Sequence, residues 1–482
     1  MKMFPEGRMM QVQIAIWGIG KELQKYAQIL CMEQVVCFVD SNRNPVSQFL
    51  YGKKVISPDE LKDYCIDYVV ISSNKFFDEI ANQLVTELGF DCKKILNFEY
   101  YLYLLGKVSL TRVKLVDIIL QLIVSYRIHK ILDVEMLLLD TFIWKKDVFF
   151  QIDGYSISEI QEKLQYEKIW SDSELIQEKY DLTILLQPEQ YDLKKIFKIF
   201  CPVSANVLIK VTREIFENKE WMQEGSLVNF RGYLFFALRE KRETSLKIFE
   251  VSHKQFVSLK DSIYCPLYVA GAMMEEPDVL KDSDGNSIAE YNNKINECTA
   301  LYWIWKNTEY KCVGLNHYRR FFTSFVNKYN ALQEWEIHLL LDFYDIGVAE
   351  SVFFNTSVRD VLQKQIAEEA FSYGFEELQK IFEHMDKRNQ EAFKYVMDGH
   401  RIYPCNMFIT TKKILNSYCA WLFPILFELI ERVKVKENWD NYSKRVLGFL
   451  AERLWTVWLI QQNYKIKEFP ILCVGQEGPY GK

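Results

Sequence analysis

Paired cysteines are missing from this chain. None of its 11 cysteines forms a C-x-x-C pair, and none groups with its 6 histidines at zinc-ligand spacing. That excludes a structural zinc knot and a thioredoxin-type redox pair. Cys37, Cys312, Cys419 and Cys473 sit inside apolar runs and are expected to be buried, reduced thiols of a cytoplasmic protein. Met1 to Gln13 holds no apolar h-region, so no secretory leader is expected. The longest uncharged stretch, Ile414–Phe427, is too short and too polar to span a bilayer, so any membrane association is expected to be peripheral. Excess positive charge is lacking as well. A net charge of −6 provides no global basic field to recruit nucleic acid or an anionic membrane. Internal repeats and low-complexity tracts are absent.

What remains is ordinary globular composition on a long chain. At 482 residues it exceeds one hydrophobic core, and two to four domains are expected. Hydrophobic residues make up 49% and charged residues 26%, which excludes disorder. Aromatic residues reach 15% and concentrate after Phe249, as a cleft for sugar rings would need, though a Tyr- and Phe-rich genome composition gives the same figure.

Residues 12–100 alternate strand and helix signals. Val12–Trp17 is predicted as a strand, Gly18-Ile-Gly20 as a tight turn, Lys21–Leu30 as a helix and Val35–Val39 as a second strand ending at Asp40. Gly18 and Gly20 let backbone approach a phosphate at a helix N-terminus, and Asp40, twenty residues on, is placed to hold ribose hydroxyls. Leu23 stands where the third glycine of that pattern belongs. The stretch resembles nucleotide-sugar-epimerase-like Rossmann modules. Ligand binding and mere retention of the fold both remain open for it. An active epimerase or dehydrogenase is disfavoured, because no Tyr-x-x-x-Lys pair follows.

A second alternation fills residues 110–240, with strands expected at His129–Val134, Val148–Ile152, Tyr180–Leu186 and Ala205–Val211. The order resembles a class I methyltransferase core. Such a core needs a glycine-rich loop after its first strand, and Glu135 to Leu139 offers no glycine. The expectation is a degenerate module that binds no S-adenosylmethionine.

The most specific signals lie further on. Tyr291-Asn-Asn-Lys-Ile-Asn-Glu-Cys-Thr-Ala-Leu-Tyr-Trp-Ile-Trp-Lys-Asn307 reads as a polar loop entering an aromatic helix. Lys311-Cys-Val-Gly-Leu-Asn-His-Tyr-Arg-Arg-Phe-Phe322 reads as a buried strand ending in His317, Tyr318, Arg319 and Arg320, a set suited to holding an anion. Adjacent arginines on an extended strand point to opposite sides, so one is expected to meet a ligand and the other to brace the fold. Together these blocks are similar to those of a bacterial polysaccharide-biosynthesis family, domain of unknown function 4422, from about Leu246 onward. The resemblance implies a cytoplasmic glycosyltransferase of surface polysaccharide, possessing a GT-A-like α/β fold. It implies transfer of a hexosyl unit, galactosyl or galactofuranosyl, from a nucleotide sugar (a UDP-sugar) to a lipid-linked glycan acceptor. A non-catalytic sugar-nucleotide-binding or scaffold protein is the alternative. Three modules follow: residues 1–105, 106–243 and 244–482.

Transfer from a sugar nucleotide needs the diphosphate neutralised, the acceptor hydroxyl deprotonated and the sugar oriented. Arg319 and Arg320 are expected at the diphosphate, with His317 and Lys254 as further donors. The strand Ser245–Val251 leads into Ser252-His253-Lys254, which resembles the family's first strand end, where base and ribose would sit. Asp282-Ser-Asp284 is an Asp-x-Asp in a loop rather than at a strand end, so a divalent metal stays open. Asn296, Glu297 and Thr299 line the helix entrance as substrate contacts, or as capping and dipole partners. Asn406 is expected on an acceptor-side strand, Tyr403–Thr410. Glu452, with Gly448 and Trp455 on one helix face, is the expected general base. Donor identity, linkage, anomeric outcome and oligomeric state are left open.

Overall fold

A computed structural model describes residues 12–41, 49–110, 112–138, 150–156, 166–171, 176–217, 224–239, 245–269, 279–324, 326, 328 and 330–474. Val148 and Phe149 of one expected strand, Leu139 of the glycine-free loop and the expected boundary at 243/244 lie outside the described residues. Two compact units divide the chain. One comprises Met1–Arg242 with Ser324–Trp335, the other Glu243–Thr323 with Glu336–Lys482.

The first unit holds two sheets. In one, β1 (Ile14–Trp17), β2 (Val35–Val39), β3 (Phe49–Leu50), β4 (Lys53–Ile56), β5 (Tyr68–Ile71) and β6 (Ile95–Asn97) run in the order β3-β4-β2-β1-β5-β6. All neighbours pair parallel except β3 with β4. Every residue of β1 is buried, as β-branched and apolar runs covered on both faces require. The helix after β1 is only Lys21–Tyr26, and Leu23 is wholly buried at its foot. A small cleft of about 50 Å³ opens among Ile14, Tyr68, Leu96 and Phe216. Ile14 and Tyr68 begin their strands, so this cleft lies at the opposite edge from Gly18.

The other sheet contains β7 (Lys130–Val134), β8 (Gln151–Tyr155), β9 (Ile169–Trp170), β10 (Leu182–Leu185), β11 (Asn206–Lys210), β12 (Ser226–Phe230) and β13 (Tyr233–Arg239), ordered β12-β13-β11-β10-β7-β8-β9. Backbone and side-chain bonds fasten it to the first sheet: Asn97 N donates to Gly232 O at 3.0 Å, and Asn229 Nδ2 to Ile95 O at 2.7 Å. After β7 the chain turns through two left-handed residues, Glu135 and Met136, at φ 66° and 51°. Met136 lies directly over Gly154, where a Cβ would come within 2.6 Å of its Cγ.

The second unit is built on β14 (Leu246–Ser252), β15 (Tyr264–Tyr268), β16 (Leu280–Lys281), β17 (Cys312–His317), β18 (Arg320–Phe322), β19 (Ile346–Ala349), β20 (Val352–Phe353), β21 (Arg401–Ile402), β22 (Phe408–Thr411), β23 (Ile466–Phe469) and β24 (Ile471–Cys473). The main path is β16-β15-β14-β17-β22-β19-β23, with β18 and β24 attached at β17 and β20 pairing with β21 apart. β14, β15 and β17 are parallel, and β22 is the antiparallel strand between β17 and β19. This is an α/β sheet with a Rossmann-like parallel core.

Gly314 makes the β14–β17–β22 contact possible. A Cβ there would meet Ile248 Cδ1 at 2.5 Å and Phe408 O at 2.9 Å. The helices Cys298–Asn307, Lys412–Arg432 and Val446–Gln461 share a core with Phe249, Val251, Val313 and Leu315 on one sheet face. Lys412–Arg432 is long and apolar enough to cross a membrane, and it buries Leu415, Cys419, Leu422, Leu426 and Leu429 in that core.

Three expectations change. The strand expected over Tyr403–Thr410 begins only at Phe408, because Cys405 and Asn406 stand at φ 72° and 50° and leave no extended backbone to pair. The closing strand that the sequence predicts over Lys465–Val474 divides into β23 and β24 around Pro470, which has no N–H for the ladder. Trp455, expected to wall a cleft, is buried against Tyr418, with ring centroids 4.7 Å apart.

Candidate functional site

Strand polarity decides what meets. The C-terminal ends of β14 and β17 share one edge of the sheet, and the antiparallel β22 starts from that edge. Ser252-His253-Lys254, His317 to Arg320 and Cys405-Asn406 therefore converge there. The entrances of helices Cys298–Asn307 and Val446–Gln461 join them through bonds from Glu297, Asn296, Arg445 and Glu452.

Cations gather at this edge. β17 turns back into β18 through Tyr318 and Arg319, pairing His317 with Arg320. The two arginines part at the turn. Arg319 lies 5.2 Å from the Tyr318 ring centroid, and Lys254 Nζ lies 5.5 Å from the same ring. The His253 ring meets Tyr318 edge-on at 5.5 Å. Desolvation, then the charges of Lys254, Arg319 and Arg445, hold His253 below the usual histidine pKa. Arg320 turns instead toward the thiols of Cys405 and Cys473, lowering both against the larger effect of burial. Among the described residues no carboxylate forms an ion pair with Lys254, Arg319, Arg320 or Arg445. Side chains of one sign left without partners at a strand edge suit an anionic ligand.

Ser252 is buried and local in its bonding. Its Oγ donates to Lys254 O at 2.5 Å and accepts from Lys254 N at 3.1 Å, which folds the strand end over. His317 Nε2 lies 2.7 Å from Cys405 O. A carbonyl oxygen only accepts, so Nε2 carries the proton.

Two carboxylates meet the turn that precedes β22. Glu452 Oε1 accepts from Cys405 N at 2.7 Å, and its Oε2 is 2.5 Å from the buried Arg453 guanidinium. Glu297 Oε1 accepts from Asn406 Nδ2 at 2.9 Å, while its Oε2 has no hydrogen bond among the described residues. Both left-handed residues of the turn are thus held from outside the strand. Burial first, then Glu452, pushes the Cys405 thiol up to about 12.

Asn296 packs against the helix Val446–Gln461. It stands at φ 50°, and its side chain lies on Gly448, where a Cβ would be 1.9 Å from its Nδ2. Its Oδ1 accepts from Arg445 Nε at 2.9 Å. Gly448 therefore admits Asn296 rather than a ligand or the sheet. Thr299 and Asp282 form a buried pair, with Oγ1 to Oδ2 at 2.6 Å, and burial raises the Asp282 pKa. Asp284 has an exposed side chain, and its carbonyl takes the Trp303 Nε1 bond at 2.7 Å. That arrangement fastens the loop to the aromatic helix. Among the described residues no cluster of three or more His, Cys, Asp or Glu side chains is placed to hold a metal ion.

In the first unit, Gly18 (φ 106°) and Gly20 follow β1 and Asp40 follows β2, all at the C-terminal edge of the parallel strands. Gly18 is needed for close approach, since a Cβ would be 2.7 Å from Ser72 Oγ, which donates to Gly18 O at 2.6 Å. In the second sheet Asp133, Glu135 and Asp153 each accept from a tyrosine hydroxyl: Tyr166 at 2.5 Å, Tyr191 at 2.6 Å and Tyr180 at 2.6 Å.

The second unit is thus an α/β body whose strand edge carries unpaired cations beside two carboxylates. Residues 247–463 match the family model described as domain of unknown function (DUF4422), so the C-terminal half is similar to the family its sequence blocks resemble. Residues 10–96 match the model described as C2185-like, N-terminal. No curated protein matches the chain. Among solved structures, the apo form of the bifunctional glycosyltransferase WbbM is 24% identical, with a TM-score of 0.41, over 48% of this chain and 46% of that one. The chain thus spans under half the length of that neighbour. Magnesium protoporphyrin IX methyltransferase (ChlM) from Synechocystis PCC 6803, with bound SAM, is 15% identical at a TM-score of 0.20, over 34% of this chain and 95% of that one.

Sequence reasoning missed Arg445 and the true neighbour of Gly448. Arg445 lies 149 residues from Asn296, and no local pattern announces that pairing.

Proposed function

We propose that the second unit is a glycosyltransferase, moving a hexosyl unit from a nucleotide sugar to a growing surface-polysaccharide acceptor. The observation that carries this reading is the set of unpaired cations, Lys254 and Arg319 around Tyr318, at the C-terminal edge of β14 and β17. The similarity to the polysaccharide family supports it. Lys254 and Arg319 take the donor diphosphate and offset the charge that grows as the sugar–phosphate bond breaks. His253 and the folded-over Ser252 border the nucleoside. Arg320 and His317 brace the turn at Cys405.

Glu297 is the base in this reading. Its free Oε2 receives the acceptor hydroxyl proton as that oxygen bonds to the anomeric carbon and the nucleoside diphosphate departs. Glu452, whose oxygens are occupied by Cys405 N and Arg453, keeps the Cys405-Asn406 turn in place, and Asn406 in turn orients Glu297. The donor is a UDP-sugar and the acceptor a lipid-linked glycan, at the cytoplasmic face of a membrane. Asp282 and Asp284 act by shaping the loop.

The test is nucleotide release by the full chain against a panel of UDP-, GDP- and dTDP-sugars, with glycan acceptor, in magnesium or manganese and in EDTA. Release of UDP with one donor is expected. Binding of sugar nucleotides without release under any condition favours the scaffold alternative, and no binding at all ends both readings.

A further inference from the structure

Arg445 has no place in the sequence motifs, yet its surroundings are the most specialised at the edge. It is exposed, immediately precedes the helix Val446–Gln461 and reaches back to Asn296 Oδ1 at 2.9 Å. Asn296 can supply that acceptor only by a costly route. Its backbone adopts φ 50° and ψ −130°, a region that non-glycine residues seldom occupy. Its carbonyl takes a bond from Asn292 Nδ2 at 3.0 Å. Its amide rests on Gly448, a helix position where any side chain would collide at 1.9 Å. A strained residue and a glycine in the first turn of a helix, each unfavourable alone, together aim one guanidinium. The Arg445 nitrogens beyond Nε have no hydrogen-bond partner among the described residues, and the guanidinium carbon lies 5.8 Å from the Phe449 ring centroid. Its charge is felt at His253, beside Lys254 and Arg319.

The geometry points to Arg445 as a third anion-holding side chain of the site, aimed at the donor diphosphate by an Asn296 latch that only glycine at 448 admits. This inference rests on the reading of that edge as the donor site. A guanidinium held through Nε presents its two terminal nitrogens as a fork, which matches two phosphate oxygens. A lysine at 445 would keep the charge and lose the fork.

Calorimetric titration of UDP into the full-length chain, at two ionic strengths and without any sugar donor, tests it. R445A is expected to bind UDP roughly 10-fold more weakly or worse, as loss of one charge-assisted bond implies, and with reduced salt dependence. N296D keeps the acceptor atom and the fit against Gly448 but sets a negative charge on Arg445, so it is expected to lose affinity comparably. N296A frees the arginine without removing its charge, and a smaller loss with unchanged salt dependence is expected. A purely structural latch would leave UDP affinity in N296D near that of the unsubstituted protein. Unaltered UDP affinity in folded R445A overturns the inference while leaving the donor-site reading intact. Failure of the unsubstituted chain to bind UDP, GDP or inorganic pyrophosphate overturns both.

Discussion

Glu250 offers a sharp test of how the second unit is held together. It is wholly buried on β14, directly opposite Asn316 on β17, and burial raises its carboxyl to about 7. Ser258 Oγ and Leu259 N, the latter at 3.3 Å, are its hydrogen-bond partners. Asn316 is equally buried, and neither its Oδ1 nor its Nδ2 has a hydrogen-bond partner among the described residues. The carboxyl is displaced upward from its ordinary 4.5. At about 1.4 kcal/mol per pH unit, ionising it in the folded state costs about 3 kcal/mol.

The sign follows from proton counting. Between 4.5 and 7 the folded chain holds a proton that the unfolded chain has released, so stability falls as pH rises through that window and stays reduced above it. A glutamine at 250 keeps the size and the bond from Leu259 N and cannot ionise. Thermal unfolding of E250Q and the unsubstituted chain should coincide near pH 5. By pH 8 the melting temperature of the second unit should be higher in E250Q by about 6–12 °C, at 2–4 °C per kcal/mol for a unit of this size. Parallel pH profiles for the two proteins would refute the reasoning.

Other expectations concern the edge itself. E297Q should lower kcat by about 10²–10⁴-fold with UDP affinity unchanged, the signature of a lost base, and a normal kcat removes Glu297 from that role. His253 is held below its ordinary pKa by desolvation and then by nearby cations, and a bound diphosphate should raise it. UDP affinity should then strengthen as pH falls from about 7 to 5.5, a trend calorimetry should find missing in H253A. G314A should destabilise the second unit by about 1–3 kcal/mol in urea, because the new methyl meets Phe408 O, and an unchanged midpoint would show that the strands yield.

Local chemistry made much of this legible. The runs Ile14–Trp17, Val35–Val39 and Cys312–Leu315 are apolar along both faces, and short strands of that kind, spaced by helical periods, have few folded outcomes besides a covered parallel sheet. The cluster from His317 to Arg320 was legible as a gathering of positive charge at a strand end because residue type alone limits its chemistry. The Asp282 loop was legible as a border of the aromatic helix, though its carboxylate turns inward to Thr299.

Whatever depended on the antiparallel insertion of β22 was not legible. Only the assembled sheet brings Cys405 and Asn406 to the end of β17, and only there do Glu452 and Glu297 acquire different tasks. In the sequence both are glutamates at helix positions. In the structure one has both oxygens engaged and the other keeps one free. Gly448 carries the same lesson: a glycine inside a helix signals a close approach, but the approaching group, Asn296, is distant in sequence. The chain alone determined which segments become strands and where charge of one sign collects, because those follow from periodicity and residue type. Tertiary structure decided which carboxylate is free, which arginine Asn296 holds and what Gly448 accommodates, because each depends on contacts between segments more than a hundred residues apart.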